Sequence, residues 1–169
     1  EMDPHVSDTD AVRSSIGQGT NNYAPVQLAR YVTTIANEGN CYDLTLVNEI
    51  KNIDGRTVYK SDNVPKNTVD LTDSQWAVIK QGMRQMVSEH TSPSALINQI
   101  NVNVAGKTGT AEEDTTRPDH ALFVSFAPYE NPEVSVTCVI PHGYTSGNAE
   151  ELAGMVYAYM YDPDKLDTL

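Results

Sequence analysis

Val104-Ala105-Gly106-Lys107-Thr108-Gly109-Thr110-Ala111 is the stretch whose reading decides the fold. It has the alternation of a β-strand. Val102, Val104, Thr108 and Thr110 fall on one side of a period-two pattern, and Ala105, Lys107, Gly109 and Ala111 on the other. Glycine weakens a strand interior and often marks close approach of a ligand or another backbone. Here two glycines flank Lys107-Thr108, and Thr110 follows. One cation, two hydroxyls and bare backbone N–H groups within a few residues suit a strand that holds a carboxylate and a developing oxyanion.

Gly106-Lys107-Thr108 also ends like a phosphate-binding P-loop. That motif needs glycine five positions earlier, where Asn101 stands, and it must open a helix. This stretch instead runs into Thr-Gly-Thr and the acidic Glu112-Glu113-Asp114. A plainer alternative, a strand with a glycine bulge and Lys107 solvated at an edge, stays open on these residues alone.

A chain of 169 residues, 39% hydrophobic and 20% charged, is long enough for one domain with a real core. No apolar run in these residues reaches the length of a membrane span, and none of them reads as a signal peptide. Because the chain starts at Glu1 and not Met, a piece of something longer is expected. Its net charge of -12, from 23 acidic and 11 basic side chains, argues against nucleic acid or an anionic membrane surface as partner. Cys41 and Cys138 make no disulfide framework; Cys138 reads as a buried strand residue and Cys41 stays open. His5, His90, His120 and His142 are scattered without metal-ligand spacing, so neither a metal nor a cofactor is expected.

Outward from the organising strand, the pattern predicts an α+β fold. Residues 1–14 read as a loop or frayed end. Ser15 to Gly19 reads as a loop. Pro25 opens a helix with Leu28, Ala29, Val32, Ile35 and Ala36 on one face, and Gly39 stops it. Its cap position, Ala24, offers no side-chain oxygen, a loss of about 1 kcal/mol. Leu44 to Lys60 reads as a small separate hairpin. Leu46-Val47 and Ile50 mark one arm, Thr57-Val58-Tyr59 the other, and Asp54-Gly55 the turn. Ser61 to Asp70 is a polar linker.

Thr72 with Gln75 makes a capping box for a helix over Thr72–Glu89. Leu71 and Trp76 form a staple around it, and Trp76, Ile79, Met83, Met86 and Val87 its buried stripe. Ser92-Pro93 ends that helix, and Ser94 to Asn98 adds a further turn. After the organising strand and an acidic loop, strands are predicted at His120–Ala127 and Val134–Ile140. Short connections make a three-stranded antiparallel meander with the Lys-Thr-Gly strand first. A last helix runs over Ala149–Tyr161, with Leu152, Met155, Val156 and Tyr159 on its buried face.

Lys-Thr-Gly on a strand resembles one of the three signatures of penicillin-binding proteins and serine β-lactamases. Two further segments resemble class B (monofunctional) penicillin-binding proteins in order and spacing. One is Ser15-Ile16-Gly17-Gln18-Gly19 followed by Tyr23-Ala24-Pro25 and Gln27-Leu28-Ala29. The other is His120-Ala121-Leu122-Phe123-Val124-Ser125-Phe126-Ala127-Pro128. The resemblance covers nearly the whole chain but only the C-terminal part of the family's transpeptidase domain. Residues 1–169 are therefore expected to form a single partial domain of that fold.

The resemblance implies serine acyl transfer onto peptidoglycan stem peptides ending in D-Ala-D-Ala, with β-lactams as mimics. It implies that Lys107 moves protons around the nucleophile and that the Thr108 and Thr110 hydroxyls bind the substrate carboxylate. The backbone N–H of Thr110 becomes an oxyanion donor, Gly109 leaves the backbone open, and Gln18 adds polar contacts at the cleft. It also implies a bacterial membrane anchor with the catalytic part outside the cell.

The Ser-x-x-Lys signature, which carries the nucleophile, is absent: no serine is followed three positions later by lysine. Ser61-Asp62-Asn63 matches the Ser-x-Asn signature only by chance, since it sits in a linker and in the wrong order. The chain alone is expected to be inactive. Two readings remain: part of a transpeptidase that has lost its N-terminal half, or a stand-alone, non-catalytic binding module. The first predicts an exposed apolar face able to drive self-association.

Overall fold

The computed structural model describes residues 8–19, 22–90, 95–113 and 115–168. Its elements in chain order are helix α1 (Asp8–Ser14), helix α2 (Pro25–Ala36), strands β1 (Asn40–Cys41), β2 (Glu49–Lys51), β3 (Thr57–Lys60) and β4 (Asn67–Thr68), and helix α3 (Asp73–Glu89). A 3-10 turn at Ile97–Gln99 follows. Then come strands β5 (Ala105–Ala111), β6 (His120–Ala127) and β7 (Val134–Ile140), helix α4 (Ser146–Tyr161) and a 3-10 segment at Pro163–Thr168.

The predicted meander is the centre of the fold, with order β5-β6-β7 and both pairs antiparallel. Alternation along β6 feeds two cores. Ala121, Phe123 and Ala127 face α4 and join Ala149, Ala153, Tyr157 and Ala158. Phe126 and Val124 face the other way and join Val32 and Ile35 of α2 with Trp76 and Met83 of α3. Each fully buried phenylalanine contributes roughly 1.5–3 kcal/mol by leaving water.

The helix signals work through named groups. Thr72 Oγ1 accepts from the Gln75 N–H at 3.3 Å, and Gln75 Oε1 accepts from the Thr72 N–H at 2.9 Å. At α2, Ala24 has no oxygen to give, but Gln27 Oε1 accepts from the Ala24 N–H at 2.8 Å. After α2 the chain turns left-handed at Glu38 (φ +52), whose N–H bonds to the Ile35 carbonyl at 3.1 Å, and at Gly39 (φ +94), whose N–H bonds to the Thr34 carbonyl at 2.9 Å; a Cβ on Gly39 would overlap the Val69 carbonyl oxygen. That close approach makes room for the β1–β4 pair, Asn40 with Thr68 and Cys41 with Asn67. The expected linker Ser61 to Asp70 thus contains a two-residue strand.

Several expectations change. The loop expected at 1–14 is helical over Asp8–Ser14, a segment that buries none of its residues. Asp8 and Asp10 in its first turn and Arg13 in its last suit the helix dipole. The hairpin is shorter than read: Leu46-Val47 lie outside β2, which pairs as Glu49–Lys60, Ile50–Tyr59 and Lys51–Thr57. Its turn is held by Asn52 Oδ1, which accepts from the Asp54 and Arg56 N–H groups. In α3, Ile79 is exposed, whereas Trp76, Met83 and Val87 are buried. Ser92, Pro93 and Ser94 lie outside the described residues.

The largest correction is the face of α4. Leu152, Met155, Val156 and Tyr159 are exposed; Ala149, Glu150, Ala153, Gly154, Tyr157 and Ala158 are buried. Small residues win because they let the helix axis come close to the sheet and to the turn at Ile97. A Cβ at Gly154 would stand 3.1 Å from Ile97 Cγ1. Tyr157 reaches across, with its hydroxyl 3.0 Å from Ser125 Oγ, which donates to the Val136 carbonyl at 3.1 Å. Burial raises the Tyr157 phenol well above its usual pKa, so it stays protonated as a hydrogen-bonding group.

Gly106 and Gly109 give a packing test. A Cβ at Gly106 would fall 2.5 Å from Phe123 Cζ, whereas one at Gly109 meets Leu122 Cβ at 3.4 Å. Gly106→Ala is expected to cost about 1–3 kcal/mol in denaturant unfolding, and Gly109→Ala less than about 1 kcal/mol. Equal costs would contradict this packing. The thiols also differ. Hydrogen bonding from Thr34, then from Arg30, whose Nε lies 3.1 Å from Sγ, lowers the Cys41 pKa. Burial raises that of Cys138. At pH 8 Cys41 is expected to react with a thiol reagent at least ~10-fold faster than Cys138; equal rates would contradict the assignment.

Candidate active site

The sequence-singled strand β5 is an edge strand, bonded to β6 on one side only among the described residues. Its register places Gly106 opposite Ser125, Thr108 opposite Phe123 and Thr110 opposite Ala121. Gly106, Thr108 and Thr110 therefore lie on the sheet face of Phe123 and α4, and Ala105, Lys107 and Gly109 on the face of Phe126 and α2. Lys107 and Thr110 are exposed, while Thr108 and Gly109 are half-buried.

Gln18 Nε2 donates to the Thr110 carbonyl at 2.9 Å, across 92 positions of sequence. That carbonyl thus points away from β6. In an antiparallel pair the N–H and C=O of one residue point to the same side, and the side alternates residue by residue. The Thr110 N–H therefore also points outward, as do the backbone groups of Thr108 and Gly106. Lys107 agrees with this direction: its Nζ curls round the strand edge and donates to the Thr108 carbonyl at 2.7 Å. One edge thus gathers a cation, a carboxamide, two threonines and outward N–H groups. Against Thr108, a cavity of about 310 Å³ is lined by Met86, Glu89 and His90.

Both ends of β5 are braced by groups that the sequence reading did not single out. At the start, the Arg84 guanidinium donates to the Val104 carbonyl at 3.2 Å and to Asn103 Oδ1 at 2.9 Å. Asn103 Nδ2 in turn donates to Glu130, and this bond is the main reason the Glu130 carboxyl is held below its usual pKa. At the far end, His120 and His142 meet with ring centroids 4.8 Å apart. The two histidines looked scattered in sequence. The β6–β7 register could have found them, since Ala121 pairs with Ile140.

The ligating atoms of Glu113, His120 and His142 lie within 4.8 Å of one another. The hydrogen bonds say how this trio is used. The His142 N–H donates to His120 Nδ1 at 3.0 Å, so the neutral His120 ring carries its proton on Nε2, which faces Glu113 at 3.2 Å. His142 Nδ1 donates to the Pro118 carbonyl at 3.1 Å. His120 therefore has no lone pair to turn toward Glu113, and the trio ties together the connections that flank β6.

Gln18 sits at the strand edge because Gly17 and Gly19 adopt φ +78 and +94. Its own N–H is held by the Arg13 carbonyl at 3.0 Å, at the end of α1. Ser61-Asp62-Asn63 lies outside any helix, between β3 and β4, and Asp62 and Asn63 are exposed. Gln18, Lys107, Thr108, Gly109 and Thr110 are thus brought to one edge.

A family model described as the penicillin binding protein transpeptidase domain matches residues 3–159. Penicillin-binding protein 2B of Streptococcus pneumoniae is 34% identical over 142 residues, covering 78% of this chain and 21% of its own. The peptidoglycan D,D-transpeptidase MrdA of Acinetobacter baumannii is 27% identical over 166 residues, covering 89% of this chain and 24% of its own. The solved structure of penicillin-binding protein 2B from S. pneumoniae superposes with a TM-score of 0.78 at 30% identity, over 93% of this chain and 28% of that one. The imipenem acyl-enzyme complex of penicillin-binding protein A from M. tuberculosis gives a TM-score of 0.75 at 26% identity, over 88% of this chain and 33% of that one. This chain spans about a fifth to a quarter of the length of these curated relatives. With residues 3–159 matched by the family model and a relative 34% identical over 78% of the chain, the chain belongs to the penicillin-binding protein transpeptidase family, among the class B members.

Proposed function

We propose that this chain supplies the Lys-Thr-Gly-Thr edge of a serine acyl-transfer site that cross-links peptidoglycan stem peptides, within a longer D,D-transpeptidase whose nucleophile lies outside these residues. The observation that carries the reading is the outward direction of the Thr110 backbone beside Lys107 and Gln18. A stem peptide ending in D-Ala-D-Ala can add along β5 as a further strand, its backbone pairing with the outward groups.

In that pose the Thr110 N–H faces the scissile carbonyl and stabilises the oxyanion as the serine attacks. Such a donor contributes on the order of 100-fold or more in rate. The Thr108 and Thr110 hydroxyls hold the terminal carboxylate. Lys107 adds positive charge and moves a proton between nucleophile and leaving amine. Gly109 keeps the strand edge clear of a side chain, and Gln18 borders the cleft. The terminal D-Ala leaves with that proton, and the amine of a second stem then takes the acyl group. A β-lactam presents the same acyl carbon and carboxylate and stays attached. No cofactor enters this chemistry.

The surface supports a chain that is part of a larger domain. Leu152, Met155, Val156 and Tyr159 form one exposed apolar stripe on α4. The outer edge of β7 carries no strand among the described residues. Both suit the missing part of the domain as occupant, and the stripe suits self-association when that part is absent. No described helix is long and apolar enough to cross a membrane. In this reading the longer protein sits at a bacterial membrane with this part outside the cell.

The chain alone is expected to form no covalent adduct when incubated with penicillin G and weighed by intact-mass spectrometry. A stoichiometric adduct on any of its serines would overturn the assignment of the nucleophile to another segment.

A further inference from the structure

Both outward carbonyls that flank Gly109 are already occupied by donors from the chain itself: Thr108 by Lys107 Nζ at 2.7 Å and Thr110 by Gln18 Nε2 at 2.9 Å. An added peptide strand needs such carbonyls as acceptors for its own N–H groups. We propose that the Gln18 carboxamide is a placeholder on the Thr110 carbonyl: it satisfies the strand edge while the cleft is empty and is exchanged for the amide N–H on the acyl side of an arriving substrate. This rests on the reading of β5 as the acyl-transfer edge.

Three features fit an exchangeable contact. The bond is solvent-exposed, so water can take either partner as it opens. The segment that carries it is lightly anchored, since α1 buries none of its residues. Its backbone is nevertheless directed, because the Gln18 N–H bonds to the Arg13 carbonyl and a Cβ at Gly19 would already touch Arg13 Cβ at 3.3 Å. An unpaired strand edge invites pairing with any other chain. A glutamine held over one carbonyl and a lysine over the next blunt that hazard and leave the Thr110 N–H facing the cleft. Gln18 is therefore a positioning and specificity residue. It favours ligands that can replace its donor and taxes them for the exchange.

The test uses the full-length gene product that contains this chain and two β-lactams. Penicillin G carries an acylamino N–H beside its reactive ring, and imipenem carries a hydroxyethyl group there instead. Removing the competitor is expected to raise the ratio of second-order acylation constants, penicillin G over imipenem, by about two- to tenfold, the worth of one exposed neutral hydrogen bond. Gln18→Ala removes the donor, and Gln18→Glu, acceptor-only at neutral pH, should raise the ratio as well. Thermal melting of both variants identifies any that fail to fold, and the ratio is read on the folded one. An unchanged ratio overturns the proposal, because the carbonyl then takes both donors on its two lone pairs. So does a parallel fall for both antibiotics, which would make Gln18 a prop for β5. Failure of the wild-type protein to be acylated by either antibiotic overturns the transpeptidase reading itself, and the placeholder with it.

Discussion

The pairing of Thr108 with Phe123 and of Thr110 with Ala121 sets the direction of the β5 backbone groups and of both threonines. A slip of one residue would turn the Thr110 N–H and C=O into the sheet and swing both threonines to the opposite face. Packing makes that slip costly. Gly106 leaves the space that the Phe123 ring fills, and a Cβ there would overlap it. Ser125, opposite Gly106, is tied to Val136 and Tyr157. The register that aims the chemistry is thus the register that the core demands.

Rigidity at the strand contrasts with light anchoring at its rim. Arg84 and Asn103 hold the start of β5, and the His120–His142 contact holds the connections around β6. Gln18 approaches from a segment with no buried helix residue and two glycines at positive φ. The sheet sets the outward Thr110 N–H by itself, so in the proposed acyl transfer that donor is aimed before substrate arrives.

Much of this was legible in the sequence where the signal was local. Asp54-Gly55 marked its turn, Thr72 with Gln75 marked the start of α3, and the alternation of β5, β6 and β7 marked the meander. The α4 face was misread because hydrophobicity and closeness of packing ask for different residues. The large apolar side chains point outward, and the alanines and a glycine lie against the sheet. The two-residue β1–β4 ladder is too short to carry any period. At the site, the residue types were visible in Lys107, Thr108 and Thr110. The contact of Gln18 with Thr110 spans 92 residues and had no sequence signal beyond the family resemblance. The Arg84–Asn103–Glu130 chain likewise exists only once α3 and the sheet have packed.

The central claim is that this chain holds the electrostatic half of an acyl-transfer site and another segment holds the nucleophile. Peptide mapping of the penicillin G adduct formed by the full-length gene product tests it most directly. The account predicts one modified serine, in a Ser-x-x-Lys sequence outside residues 1–169. A modified serine within residues 1–169 would contradict it.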